Sequence, residues 1–136
     1  MPITEVNLLA VLAATLATMV VGMLWYAPPV LGKIWMRETG MTPEKAQQGM
    51  VRSFAIGVTA NLLLSFCLSL LLQMVRPGSL PAALLFGSVL WLGIVVPTEL
   101  SEVAWERRTW TLFLIDTGWS LLSFIVITVI LYSWLW

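Results

Sequence analysis

The chain has 136 residues, of which 60% are hydrophobic and only 10% charged, with a mean hydropathy of +0.94. A soluble domain is roughly 45–50% apolar and about 25% charged, so a soluble fold is excluded and a bilayer is the fitting solvent. Seven basic and seven acidic side chains give no net charge and no basic face for nucleic acid; the absence of histidine removes histidine-based catalysis and most metal sites.

A span of the hydrocarbon core needs roughly 20 helical residues. The first candidate, Val6 to Tyr26, is uncharged and 21 residues long. Only Glu5 is charged ahead of it and no small-x-small cleavage site follows, so it reads as a retained helix rather than a signal peptide. Within it Ala10, Ala14, Thr18 and Gly22 repeat every four residues. Small residues at that spacing let two helices approach closely, either inside the chain or against a second copy.

Residues 27–52 form a polar connection, in which Thr42 and Pro43 read as the cap and first position of a short helix. The second span, Ser53 to Val75, carries a polar row at Ser53, Gly57, Asn61, Ser65, Ser69 and Gln73. A four-residue step drifts about 40° per repeat, so the row winds around the helix. It supplies hydrogen bonds between helices or borders a water path, with Asn61 near mid-bilayer and Ser65 one turn on. The single Cys67 lies in this apolar run and reads as a small hydrophobe with no internal disulfide.

After a turn at 76–81 the third span runs approximately over 80–98, and the fourth over 112–136. Glu99, Glu102 and Glu106 are spaced i, i+3, i+7 and share a helix face. Glu99 and Asp116 are equally far from the turn at Arg107 and Arg108, so an antiparallel hairpin brings them to one depth. The group could share a proton, hold a cation, or pair with Arg52, Lys33 or Arg37; Pro97 is placed to kink the third helix. Phosphate-binding glycine loops, GxSxG and metal-ligand spacings are absent, so neither an enzyme nor a cofactor is expected.

The first and third connections hold Lys33, Arg37, Lys45, Arg52, Arg107 and Arg108, against Arg76 on the other side. This bias puts both connections in the cytoplasm and both termini on the non-cytoplasmic side. The expectation is one domain, 1–136: an all-α integral membrane bundle of four transmembrane helices, multi-pass in a cytoplasmic (inner) membrane, in contact with lipid. The first functional reading is non-enzymatic helix packing, as a self-associating or accessory subunit in a homo-oligomer or larger membrane complex. The alternative is a small transporter or channel, its polar path running along Asn61 and the Glu99 and Asp116 carboxylates.

The segments NLLAVL at 7–12, GMLWYAP at 22–28, GKIWMR at 32–37 and WERRTWTLFLIDTG at 105–118 resemble a family of small bacterial membrane proteins, domain of unknown function 1761. Ala27 and Pro29 stand where that pattern has Ser and an apolar residue. The resemblance implies a four-helix membrane protein and carries no catalytic residues across.

Overall fold

A computed structural model describes residues 5–135, with side chains through Trp134. The described residues are helical with short connections and contain no strand. Four helices are long and apolar enough to cross a membrane: Leu8–Trp25, Met50–Val75, Leu80–Trp105 and Trp110–Trp134. In hydrocarbon every backbone amide must be satisfied within the segment, which leaves helices as the solution for apolar runs of this length.

Four of the helices begin at a side-chain cap: Asn7, Thr42, Ser79 and Thr109. Asn7 accepts the Ala10 N–H at 3.1 Å and starts α1, Leu8–Trp25. The first connection folds into a π-helical turn, Pro28–Gly32, then α2, Lys33–Thr39, and α3, Pro43–Gln48. Gly40, with φ +72°, ends α2 in the left-handed region, and Thr42 caps α3. Gly32 is fixed by sterics, because a Cβ there would run into the backbone carbonyl of Tyr26. The long α4, Met50–Val75, ends at Arg76, which adopts φ +50°, and Pro77 prevents its continuation.

Ser79 caps α5, Leu80–Leu90, which passes through a π turn, Trp91–Val95, into α6, Val96–Trp105. Pro97 has no N–H to give to the ladder, and the wide turn just before it re-pairs the backbone, Val96 donating to the Trp91 carbonyl. The third spanning helix is therefore longer than its uncharged run and carries Glu99 and Glu102 inside it. The last helix, α7, is Trp110–Leu135 and carries Asp116 likewise. At about 1.5 Å per residue the 26 residues of Leu80–Trp105 exceed a 30 Å core, so the acidic end reaches the headgroup level.

α1 and α7 pack against each other at the centre, with α4 on α1 and α5 on α7. The tight core lies toward the Leu8 end of α1, where Ala10, Ala14, Leu68, Leu72, Ile127 and Leu131 are buried. Here the four-residue stripe finds its place. Ala10, Ala14 and Thr18 have no exposed surface, and a Cβ on Gly22 would sit 2.9 Å from the Trp119 ring. The stripe packs within the chain, which leaves it no free face for a second copy. Toward the other end Val51, Phe54 and Ile56 of α4 are exposed.

Candidate functional site

The end of the bundle that carries the first and third connections gathers most of the chemistry-bearing side chains. Residues Glu99, Glu102 and Glu106 descend one side of α6, as their spacing requires. The chain then reverses through Arg107, held at φ +55°, and this reversal swings Arg108 back under the helix end. Its guanidinium meets all four acids of the hairpin: Glu102 at 3.0 Å, Glu106 at 3.4 Å, Asp116 at 3.5 Å and Glu99 at 3.9 Å. Among the described residues every ion pair of this group ends on Arg108. One cation thus serves four carboxylates, and the cluster carries an excess of negative charge.

Arg52 is not brought to this cluster. It stands exposed in the first turn of α4, and none of the ion pairs of the acids reaches it. The cation that does reach the acids is the one contributed by their own turn. Its signal in the sequence was its position midway between Glu99 and Asp116, which only the left-handed Arg107 converts into contact.

Asp116 has a second partner. The Tyr26 hydroxyl, just past α1, donates to its Oδ1 at 2.8 Å. Beside it Trp25 Nε1 donates to the Ile115 carbonyl at 3.2 Å. Tyr26 also meets Trp35 of α2 edge to face, with centroids 5.9 Å apart, and Trp119 of α7 in the same manner at 6.1 Å. Thr109 donates to Glu38 Oε2 at 2.8 Å and caps the start of α7, tying α2 to the acidic hairpin. The convergence of Tyr26 and Trp35 on Asp116 was not legible in the sequence.

Two pockets adjoin this cluster. The smaller, about 360 Å³, is lined by Tyr26, Gly32, Trp35, Met36 and Asp116. The larger, about 490 Å³, opens between α1, α4 and the first connection, and both are bordered by Tyr26 and Trp35. Asn61 lies in the wall of the larger one. Its amide nitrogen donates to the Gly57 carbonyl at 2.9 Å and contacts the Met19 sulfur at 3.2 Å. The carbonyl acceptor can only be met by the NH₂ group, so the side-chain oxygen is the atom left for other partners.

Beyond Asn61 the polar row of α4 turns into the core. Ser65 and Ser69 are fully buried and Gln73 nearly so. Ser65 Oγ, Ser69 Oγ and Gln73 Oε1 have no hydrogen-bond partner, and neither has Thr128 Oγ1 on α7. The Gln73 amide nitrogen is satisfied by the Glu5 carbonyl at 3.0 Å. Buried hydroxyl and amide oxygens are ordinarily paired with protein or with ordered water, so this row is a polar seam in an apolar interior. Cys67, between the two serines in sequence, is exposed on the outside of α4.

The model of a family described as a protein of unknown function, DUF1761, matches residues 9–132. No curated protein and no solved structure matches the chain.

Proposed function

The chain belongs to this family, and from that premise we propose that it is a small, non-enzymatic transporter or channel for a cation, with a polar path from Asp116 to the Asn61 row. One observation carries the reading: the pocket that holds Asn61 and the pocket that holds Asp116 share Tyr26 and Trp35 as a common wall. The carboxylate cluster beside it has more negative charge than Arg108 balances, which favours a cation over an anion or a neutral solute. Ser65, Ser69 and Gln73 continue the same row of α4 across the buried part of the bundle. Placement in a cytoplasmic membrane with both termini outside belongs to this proposal, from the six-to-one division of Lys and Arg between the two sides.

The other reading, a self-associating or accessory subunit in a homo-oligomer or larger complex, draws on the small size of the connections. Its named contact, the Ala10, Ala14, Thr18 and Gly22 stripe, is occupied within the chain. Cation flux into proteoliposomes separates the two. Under the transport reading, wild-type protein gives flux that Asn61→Leu and Asp116→Asn remove while the helices stay folded. Proteoliposomes no leakier than empty vesicles, together with co-purification of a stoichiometric partner, would support the subunit reading instead.

A further inference from the structure

We propose that the outer face of α4 is a docking groove for one anionic phospholipid, its phosphate on Arg52 and an acyl chain along Ala55, Thr59 and Leu63. Arg52, Ala55, Ile56, Thr59, Ala60 and Leu63 follow one another at steps of three, one and three residues, the pattern of a single helix face, and all six are exposed. Met50, Gly57 and Asn61, which line the pocket against α1, lie on the opposite side of the same helix. The groove therefore shares no residue with the path from Asp116 to Asn61, and it stands whether or not cations move there.

Along this face the surface is hollow. A space of about 430 Å³ is lined by Ala55, Ile56, Thr59, Ala60 and Leu63. Another, of about 400 Å³, continues it between α4 and α1, over Val11 and past Phe66, and the two share Thr59 and Leu63 as a border. The one hydroxyl on this border, Thr59 Oγ1, donates to the Ala55 carbonyl of its own helix at 2.8 Å, so its proton is already used. The remaining side chains of both spaces are hydrocarbon, and a hydrocarbon chain is what they fit. From Arg52 to Leu63 the helix rises through eleven residues, about 16 Å, which is half of a hydrocarbon core roughly 30 Å thick. That is the reach of an acyl chain within one leaflet.

Arg52 selects the headgroup. The connection 27–52 carries four basic side chains, Lys33, Arg37, Lys45 and Arg52, against the acids Glu38 and Glu44. Among the described residues none of the four basic groups forms an ion pair, since those pairs all end on Arg108. Only Arg52 of the four stands on the groove's face of α4. A guanidinium meets a phosphate through two parallel hydrogen bonds, and the surplus of positive charge favours a headgroup with net negative charge over a zwitterionic one. A second copy of the chain fits less well. Copies inserted with one topology would meet through this face at equal depth, which sets Arg52 against Arg52 with no carboxylate on the stripe.

Native mass spectrometry of the full chain in detergent, titrated with phosphatidylglycerol or with phosphatidylcholine of the same acyl chains, tests this. One phosphatidylglycerol should be held about fivefold more tightly than phosphatidylcholine, and Arg52→Gln should remove that preference. Lys33→Gln deletes the same charge from α2 and should leave the preference intact. Ala60→Phe fills the hollow from an exposed position, so folding is spared, and it should weaken both lipids about tenfold.

A loss in Lys33→Gln equal to that in Arg52→Gln would overturn the proposal, because diffuse attraction by the whole connection would then account for the preference. Unchanged binding in Ala60→Phe would overturn it as well, since no acyl chain would lie in the groove. A wild-type dimer that Ala60→Phe breaks would give the face to a second copy instead.

Discussion

Replacing Arg108 by Gln removes the one cation that four carboxylates share. Its guanidinium is about a third exposed, as is Glu102, while Glu99 and Asp116 are more deeply set at 24% and 21%. A solvated pair is worth about 0–1 kcal/mol, and stripping the partner from a buried charge costs about 3–5. This geometry lies between those limits, so Arg108→Gln should cost about 2–3 kcal/mol. For a chain of this size that lowers the unfolding midpoint by roughly 6–10 °C. Glu99→Gln should behave differently. Its 3.9 Å contact is the longest of the four, and its charge sits among three like charges. Lost attraction and relieved repulsion then nearly cancel, within about 0.5 kcal/mol of zero. Glu99→Gln added to Arg108→Gln should recover part of the loss, since one unbalanced charge fewer remains. Tryptophan-fluorescence melts of the three variants in detergent measure all of this. If Glu99→Gln proved as damaging as Arg108→Gln, the acids would be matched structural partners and the argument from surplus charge would fail.

Further outcomes follow from other contacts. Gly22→Leu should destabilise the chain by about 1–3 kcal/mol, because its Cβ starts 2.9 Å from the Trp119 ring and the indole must move; a fully stable variant that instead lost self-association in native mass spectrometry would put the stripe between copies. Tyr26→Phe keeps both ring contacts and deletes the hydrogen bond to Asp116. A bond to a charged acceptor is worth about 1.5–3 kcal/mol, a loss that chemical unfolding would detect. Gly32→Ala should cost at least about 2 kcal/mol through its clash with the Tyr26 carbonyl, and a neutral effect there would mean the π-helical turn relaxes freely. A green fluorescent reporter fused after Trp136 should stay dark if that end is exported, and bright cells would reverse the orientation.

The sequence by itself determined that this is an all-α chain with four helices fit to cross a membrane, and it located the cap of the short connecting helix at Thr42 and the breaks between spans near residues 76 and 107. The physical reason is local. In a medium without water, each apolar run must close its own backbone hydrogen bonds, so composition and length are enough to call for helices. The GMLWYAP and WERRTWTLFLIDTG segments also carried the family resemblance. Spacing further put Glu99, Glu102 and Glu106 on one face, and distance from the turn put Asp116 at the depth of Glu99.

Which side chains would meet across helices was decided only by the tertiary structure. Lipid gives no general hydrophobic preference for one helical neighbour over another; the choice depends on close fit and on a few polar contacts between distant residues. Tyr26 reaches Asp116 across 90 positions of sequence. The basic partner of the acids turned on a single backbone conformation, the left-handed Arg107, which aims Arg108 at them, while Arg52 on α4 takes no part in their ion pairs. The stripe on α1 fitted a second copy as well as its own α7, until Trp119 was found lying over Gly22. The polar row of α4 was visible as a period of four, but its division was not. Asn61 faces a pocket while Ser65 and Ser69 enter the core.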